Sequence, residues 1–218
     1  MAVTIKTPYI PEWELEEARS LCKSFGIEHL TINLPVPESI MNNPKERCYL
    51  CKKVLFSRIS DYAAEAGCNI VADGTNADDK GTHRPGMRAL EEMKIMSPLM
   101  IAGFTKADIR SLLQEYDLEI WNKPAYACLL TRVPYNTYID TRMLHIIELS
   151  EKYIHSIGYP GTRVRLHGDI ARIECMPESL DEMLTREVRN QVTTYLKSLG
   201  IKYITIDLEG YRTGSMDL

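Results

Sequence analysis

Hydrophobic and polar residues in the first half of the chain alternate between two periodicities. Short runs rich in β-branched residues predict strands at residues 2–6, 29–34 and 69–72. Apolar residues three or four positions apart predict helices from Pro11 to Gly26, over residues 47–66, and from Thr105 through Gln114, where Thr105 and Asp108 form a capping box. Because strand–helix alternation is typical of parallel βαβ units, we predict an α/β fold with a doubly wound parallel sheet.

The pattern changes near residue 139. A long helical pattern at residues 141–157 precedes two short strands, at 163–166 and 171–175, which a turn containing Gly168 and Asp169 joins. A helix at residues 180–199 and a strand at 203–208 follow. We therefore predict an α/β domain at residues 1–138 and a small α+β domain at residues 139–218, which would serve substrate binding or oligomerisation.

Composition and charge narrow the possible functions. The chain is 44% hydrophobic and 26% charged, as globular proteins are, and no apolar run approaches the ~18 residues that a membrane span needs. The first residues lack the basic and apolar regions of a secretory signal, so we expect a cytoplasmic protein with no membrane partner. A formal net charge of −4 disfavours nucleic acid as the main partner.

The six cysteines of such a chain are expected to be thiols. Cys48 and Cys51 stand one turn apart at the start of a predicted helix, where the helix N-terminus and nearby cations favour thiolates that could bind a metal centre. Two ordinary helical cysteines, or half of a structural site, are the alternatives. Cys128 is a third candidate ligand, although a cysteine between Ala and Leu is more often a small buried hydrophobe. We expect a packing role for Cys22, Cys68 and Cys175.

Two further motifs suit phosphate chemistry. The loop at residues 73–79 directly follows a predicted strand, which is where open α/β sheets bind ligands. Thr75 and Asn76 could contact phosphate oxygens while Asp78 and Asp79 hold Mg²⁺, although such a loop is also typical of a solvated turn. Arg163 and Arg165 share one face of a predicted strand, and without an acidic partner across the sheet they suit a phosphate. A solvated sheet edge is the alternative for this pair.

Segments along nearly the whole chain resemble one enzyme family. In order, they are RCYLCKK, ADGTNADD, RPGMRAL, SPLMIAGFTKADIR, NKPAYACLLTRVPY, RVRLHGDIARIE and DLEGYRTGSM. Together they resemble the ATP-dependent sulfur transferases of nickel-pincer nucleotide biosynthesis, the LarE family of the PP-loop superfamily. The resemblance implies an adenine nucleotide alpha hydrolase-like fold and a homo-oligomer. It also implies that ATP with Mg²⁺ adenylylates a carboxylate of pyridinium-3,5-dicarboxylate mononucleotide, into which sulfur is then inserted.

The resemblance also implies site residues. One type of LarE protein sacrifices a single cysteine, and the other binds a [4Fe-4S] cluster through three cysteines, which leaves one iron for an added sulfide. The sequence matches the three-cysteine type at Cys48, Cys51 and Cys128. By the same resemblance Arg163 and Arg165 would hold the substrate phosphate, and Arg132 and Glu151 would lie near the transfer site. The residues that would border the nucleotide are Asp73, Gly74, Thr75, Asn76, Asp78 and Asp79.

The sequence departs from the family at one motif. The SGGxDS loop, which follows the family's first strand and grips the ATP pyrophosphate, does not occur in the 218 residues. The resemblance begins at the family's second strand. We therefore expect ATP to bind only together with a segment that carries this loop, in the same chain or on a partner chain, because backbone amides of that kind supply most of the charge stabilisation in phosphate chemistry.

Three other functions stay open from the sequence. One is a PP-loop tRNA thiolase with a three-cysteine cluster, which the acidic charge and the lack of a Lys/Arg-rich segment disfavour. Another is a non-catalytic protein that carries a cluster or sulfide. The third is a structural zinc site, at Cys48, Cys51 and Cys128 with a histidine such as His83.

Overall fold

The computed structural model describes residues 1–80, 85–124, 126–212 and 215. The chain divides into two compact units, the first formed by residues 1–36, 41–43 and 124–218 and the second by residues 37–40 and 44–123. The boundary predicted near residue 139 lies inside the first unit, and the division into domains at that point stays a prediction.

Helices and strands alternate at the start of the described chain, and a run of five helices separates the first two strands from the last three. In order they are β1 (Ala2–Lys6), α1 (Glu12–Ser24), β2 (His29–Asn33), α2 (Arg47–Glu65), α3 (Pro85–Glu92), α4 (Pro98–Ile101), α5 (Lys106–Glu115), α6 (Thr141–Ser156), β3 (Arg163–His167), β4 (Ile170–Glu174), α7 (Leu180–Met183), α8 (Arg186–Ser198) and β5 (Tyr203–Ile206). Short 3-10 turns lie at Glu38–Ile40, Ala77–Asp79, Glu119–Asn122, Leu129–Arg132 and Pro177–Ser179. None of the described helices combines the length and the hydropathy that a membrane span requires.

The first unit begins with a βαβ motif. β1 and β2 pair in parallel, with Ala2 opposite His29, and α1 packs against both strands. The buried side chain of α1 is that of Leu15. The predicted parallel pairing is therefore confirmed for these two strands.

The same unit contains a mixed sheet in the order β3-β4-β5. β3 and β4 form an antiparallel hairpin closed by Gly168 and Asp169, and Gly168 adopts the left-handed backbone (φ 61°) that such a short turn requires. β5 pairs with β4 in parallel. α6 packs on β3 and α8 and buries Leu144, Ile147 and Ile154 at helical spacing.

The second unit consists of α2 to α5 with their connecting loops. α2 packs along α3, and the predicted capping box is present at the start of α5: the Thr105 hydroxyl accepts from the Asp108 N–H, and the Asp108 carboxylate accepts from the Thr105 N–H. The helix predictions for α1, α2, α5 and α6 are confirmed to within two residues at each end.

Two predicted elements differ from the structure. Residues 69–72 form no described strand but a single parallel bridge, between Ala72 and Met96, because this run lies on the surface and Ile70 is 63% exposed. The helix predicted at residues 180–199 divides into α7 and α8 at Thr185, whose backbone is extended and whose hydroxyl donates to the Glu182 carbonyl. The α and β content is as predicted, and the doubly wound sheet stays a prediction.

Candidate functional site

Cys128 lies in the first unit, immediately before the 3-10 turn at Leu129–Arg132, which we call the cysteine turn. Its side chain is half-buried. Leu129 and Leu130, which follow it, are fully buried, and the Leu129 N–H donates to the Tyr9 carbonyl at 2.8 Å. The thiol is therefore carried by backbone that is anchored in the core of this unit.

Arg132 and Glu151 form a buried ion pair behind the cysteine turn. Nε and Nη2 of Arg132 donate to the two carboxylate oxygens of Glu151 at 2.8 and 3.0 Å, and the two side chains are 1% and 0% exposed. Glu151 also accepts from the Val164 N–H at 2.9 Å. Nη1 of Arg132 donates to the Ala127 carbonyl at 2.9 Å and to the Cys128 carbonyl at 3.4 Å. The pair thus links α6 and β3 to the backbone of Cys128.

Arg165 has an acidic partner across the sheet, contrary to the sequence prediction. Its Nε and Nη2 donate to Glu174 on β4 at 3.1 and 2.7 Å, and its Nη1 donates to the Thr131 carbonyl of the cysteine turn at 2.6 Å. Glu174 is fully buried and also binds Arg172 and Ser215. The argument that the pair lacks an acidic neighbour was therefore wrong for Arg165, whose charge Glu174 compensates.

Arg163 has different surroundings from Arg165. Arg163 is 2% exposed, and its guanidinium carbon lies 4.9 and 5.2 Å from the ring centroids of Tyr126 and Tyr211. Burial, and then repulsion from Arg132, lower the pKa of Arg163. Glu151 and Tyr211 stabilise the cation and oppose this shift in its pKa. Phosphate binding by Arg163 stays a prediction.

A cluster of aromatic side chains packs around the residues that precede Cys128. Tyr126, two residues before Cys128, packs against Trp13 and His155 with ring centroids 6.4 and 5.7 Å away. Burial lowers the pKa of His155, although its hydrogen bond to the Thr162 carbonyl opposes that shift. Since a carbonyl only accepts, Nε2 of the neutral imidazole carries the proton. Packing therefore fixes the chain before Cys128, and hydrogen bonds fix the chain after it.

Cys48 and Cys51 lie in the second unit, one turn apart at the start of α2. Cys48 is exposed and Cys51 is half-buried. Between them, Tyr49 donates its hydroxyl to Glu92 of α3 at 2.7 Å, and the Arg88 guanidinium stacks 3.8 Å from the Tyr49 ring. The hydrogen bonds from Tyr49 and Lys53 lower the pKa of Glu92. These contacts tie the cysteine-bearing turn of α2 to α3.

A cavity of about 430 Å³ in the second unit joins Cys48 to the loop at residues 73–79. Its walls include Cys48 and Lys52 of α2 and, from the loop, Asp73, Gly74, Thr75 and Asp79. Gly86 of α3 also lines the cavity. A Cβ at this position would lie only 3.1 Å from Cδ of Lys52, so the glycine permits α2 and α3 to approach closely. The structure therefore brings together a candidate ligand and most of the predicted nucleotide loop.

The loop itself is held by internal hydrogen bonds. Asp73 accepts from the hydroxyls of Thr75 and Ser97 at 2.5 and 2.7 Å. Asn76 and Asp79 form a capping box around the turn, and Asp78 accepts from the Lys106 N–H at the start of α5 at 2.8 Å. These polar side chains preform the loop, whereas Mg²⁺ binding by Asp78 and Asp79 stays a prediction.

The predicted ligand set spans both units. All six cysteines, each of them described, are thiols rather than disulfides. Within the described part of the chain, no three His, Cys, Asp or Glu side chains are grouped as a metal-ion site. His83, the histidine of the zinc alternative, lies outside the described residues. The three-cysteine cluster therefore stays a prediction.

Comparison with known proteins assigns the chain to a family. It is 36% identical over 218 residues to the pyridinium-3,5-bisthiocarboxylic acid mononucleotide synthase of Lactiplantibacillus plantarum, with 99% of this chain and 78% of that protein aligned. The chain belongs to the LarE family. Uncharacterized proteins of Synechocystis sp. and Methanocaldococcus jannaschii are 33% and 34% identical, over 100% and 98% of this chain and 82% and 81% of their own lengths. No protein-family model matches the chain.

The candidate site contains two residues that the sequence analysis did not single out. Asn43 is fully buried with a left-handed backbone (φ 47°), and its Nδ2 donates to the carbonyls of Leu130, Val133 and Pro134. Glu174 could have been found, because counting outwards from the turn at Gly168 and Asp169 places it opposite Arg163 and beside Arg165. For Asn43 the sequence offers only its residue type, which tolerates a left-handed backbone.

Proposed function

We propose that this LarE-family chain inserts sulfur into a carboxylate of a pyridinium dicarboxylate mononucleotide. The observation that carries this proposal is the continuous 36% identity, over 99% of the chain, to a protein named as the synthase of the bisthiocarboxylic acid mononucleotide. The half-buried thiol of Cys128 supports it, since two buried arginine–carboxylate pairs brace the turn that follows this cysteine.

The reaction needs an activated carboxylate, because a carboxylate oxygen is a poor leaving group. The carboxylate displaces pyrophosphate from Mg-ATP and forms an acyl-adenylate. Sulfide then attacks the acyl carbon, and AMP leaves with the original carboxylate oxygen, which gives a thiocarboxylate. Both steps are displacements that need neither an oxidant nor a reductant.

Cys48, Cys51 and Cys128 would hold a [4Fe-4S] cluster, which supplies one iron that is open to a sulfide ligand. Their chemistry fits this role. Cys48 and Cys51 are accessible thiols one turn apart, near a helix N-terminus that favours thiolates, and Cys128 is a third thiol on firmly held backbone.

The chain's own residues divide among three tasks. The cavity that joins Cys48 to the loop at residues 73–79 supports a nucleotide site there, with Thr75 beside the phosphates. Of the two arginines on β3, Arg163 is the better candidate for the substrate phosphate, because Glu174 already compensates Arg165. Arg132 and Glu151 hold the cysteine turn, and we infer that they lie near the transfer site.

An anaerobic assay of the chain, combined with a segment that carries the SGGxDS loop, tests the function. With ATP, Mg²⁺, sulfide and pyridinium-3,5-dicarboxylate mononucleotide, we expect AMP and pyrophosphate to form together with a product in which sulfur replaces oxygen, identified by mass spectrometry. Release of AMP without a sulfur-containing nucleotide, or sulfur incorporation into added tRNA instead, would contradict the proposal.

The assignment of the substrate phosphate to Arg163 gives a binding prediction. Arg163→Ala should weaken mononucleotide binding by about 1.5–3 kcal/mol, roughly 10- to 150-fold, because a charge-assisted hydrogen bond is lost. Calorimetric titration measures this, and the dephosphorylated nucleoside should bind the variant and the unaltered protein equally. Arg189→Ala, which removes an exposed guanidinium on α8 of the same unit, is the control. If Arg163→Ala binds the mononucleotide with unchanged affinity, Arg163 does not bind the substrate phosphate.

A further inference from the structure

Thr131, inside the cysteine turn, connects three groups of the site. Its hydroxyl donates to the Cys128 carbonyl at 3.0 Å and accepts from Nη1 of Arg132 at 2.7 Å. Its own carbonyl accepts from Nη1 of Arg165 at 2.6 Å. One threonine therefore joins the backbone of Cys128 to both buried arginines, whose charges Glu151 and Glu174 balance.

The peptide group that follows Cys128 is held at both of its ends. Its carbonyl oxygen accepts from the N–H of Thr131 at 3.1 Å, from the Thr131 hydroxyl and from Arg132. Its N–H, which belongs to Leu129, donates to the Tyr9 carbonyl. The peptide group before Cys128 is held too, because the Ala127 carbonyl accepts from Nη1 of Arg132 at 2.9 Å. Since each peptide group is planar and rigid, holding both of them fixes the backbone angles of Cys128, φ at −57° and ψ at 155°.

A fixed ψ angle restricts where the thiol can lie. With the peptide groups on both sides of Cys128 held, its Cα–Cβ bond has one direction relative to the core, and χ1 is the remaining freedom of the thiol. Reactive groups lose much of their rate advantage when they are misplaced by about 1 Å, so residues that orient such a group affect turnover without touching the substrate.

We propose that Thr131 is a positioning residue for Cys128, which acts by anchoring the peptide group that follows this cysteine. The proposal rests on the proposed function only in that Cys128 takes part in sulfur transfer. The hydroxyl is the chemically decisive part of the side chain, since it bridges the Cys128 carbonyl and the Arg132 guanidinium while both ion pairs remain in place.

Thr131→Val tests the proposal, because valine keeps the shape of the side chain and removes the hydroxyl. In protein without iron, we expect N-ethylmaleimide to alkylate Cys128 several-fold faster in Thr131→Val, as followed by peptide mass spectrometry, while Cys22 reacts at its unaltered rate. Thr131→Ser, which restores the hydroxyl, should react like the unaltered protein. In the sulfur-transfer assay, Thr131→Val should lower kcat by roughly 10- to 100-fold with KM for the mononucleotide unchanged.

Thr205→Val is the matched control, since the Thr205 hydroxyl also donates to a backbone carbonyl, that of Ala171, at 3.2 Å within the mixed sheet. Equal changes in Cys128 alkylation and kcat in the two valine variants would overturn the proposal, because they would report a general loss of stability. A raised KM with unchanged kcat would also overturn it by assigning Thr131 to substrate binding. Thr131→Ala serves the same comparison if the valine variant does not fold.

The alkylation measurement separates this inference from the proposed function. If the unaltered protein makes no thiocarboxylate, the proposed function fails. Faster alkylation of Cys128 in Thr131→Val, reversed in Thr131→Ser, would still support the positioning of the thiol. Alkylation at the unaltered rate in Thr131→Val would overturn the inference even if sulfur transfer is observed.

Discussion

Cys128→Ser is expected to abolish stable iron binding in the anaerobically reconstituted protein. The unaltered chain should hold about four irons and about four core sulfides, besides any added sulfide, because three thiolates suffice to anchor a cubane cluster. A serine hydroxyl is a hard, weakly acidic ligand that replaces a thiolate poorly at iron. With Cys128 removed, only the pair on α2 would remain, and two thiolates do not retain a cluster through desalting. Iron and acid-labile sulfide per chain, with the visible absorption of the cluster, measure the outcome.

The chain offers a matched control for this substitution. Cys22 on α1 is half-buried like Cys128 and belongs to the same compact unit, so Cys22→Ser should keep its full iron content. Cys48→Ser and Cys51→Ser should behave like Cys128→Ser. Full iron content in Cys128→Ser would contradict the three-ligand set, and one zinc per chain in place of iron would favour the structural zinc site instead.

Local sequence signals predicted most of the helices. The capping box at Thr105 and Asp108 gave the start of α5, and the glycine at position 26 gave the end of α1 to within two residues, because these signals act on neighbouring backbone groups. The strand prediction at residues 69–72 was wrong because a strand depends on residues that are distant in the sequence. A short apolar run forms a strand only if a neighbouring strand pairs with it. Ile70 is exposed, and no described strand pairs with this run.

In the candidate site, too, local sequence predicts the burial of a residue but not its partner. Glu151 follows Leu144 and Ile147 on the buried face of α6, so its position alone predicts that a buried cation compensates it. That this cation is Arg132 depends on how α6 packs against the cysteine turn, which spacing along the chain does not specify. The family resemblance named both residues and implied a place near the transfer site, which stays a prediction. Their hydrogen bonds brace the backbone of Cys128.

Glu151→Gln is expected to lower the free energy of unfolding by about 3–5 kcal/mol, the cost of leaving a buried charge without its partner. Glutamine has the same shape, and its carbonyl can still accept from the Val164 N–H, so the change is confined to the charge facing Arg132. Urea denaturation followed by circular dichroism measures the loss. An exposed pair provides the comparison: Lys202 and Asp169 are 65% and 59% exposed, and Lys202→Gln should cost about 0–1 kcal/mol.

The double variant Arg132→Met, Glu151→Gln separates the charge from its structural role. Because neither buried charge remains, its stability should exceed that expected from adding the losses of the two single variants, by an interaction energy of roughly 1–3 kcal/mol. The donors from Arg132 to the Ala127 and Cys128 carbonyls are nevertheless absent, so recovered stability should not restore sulfur transfer. Additive losses would contradict coupling between the two side chains. A stable double variant with full activity would show that the cysteine turn does not depend on this guanidinium.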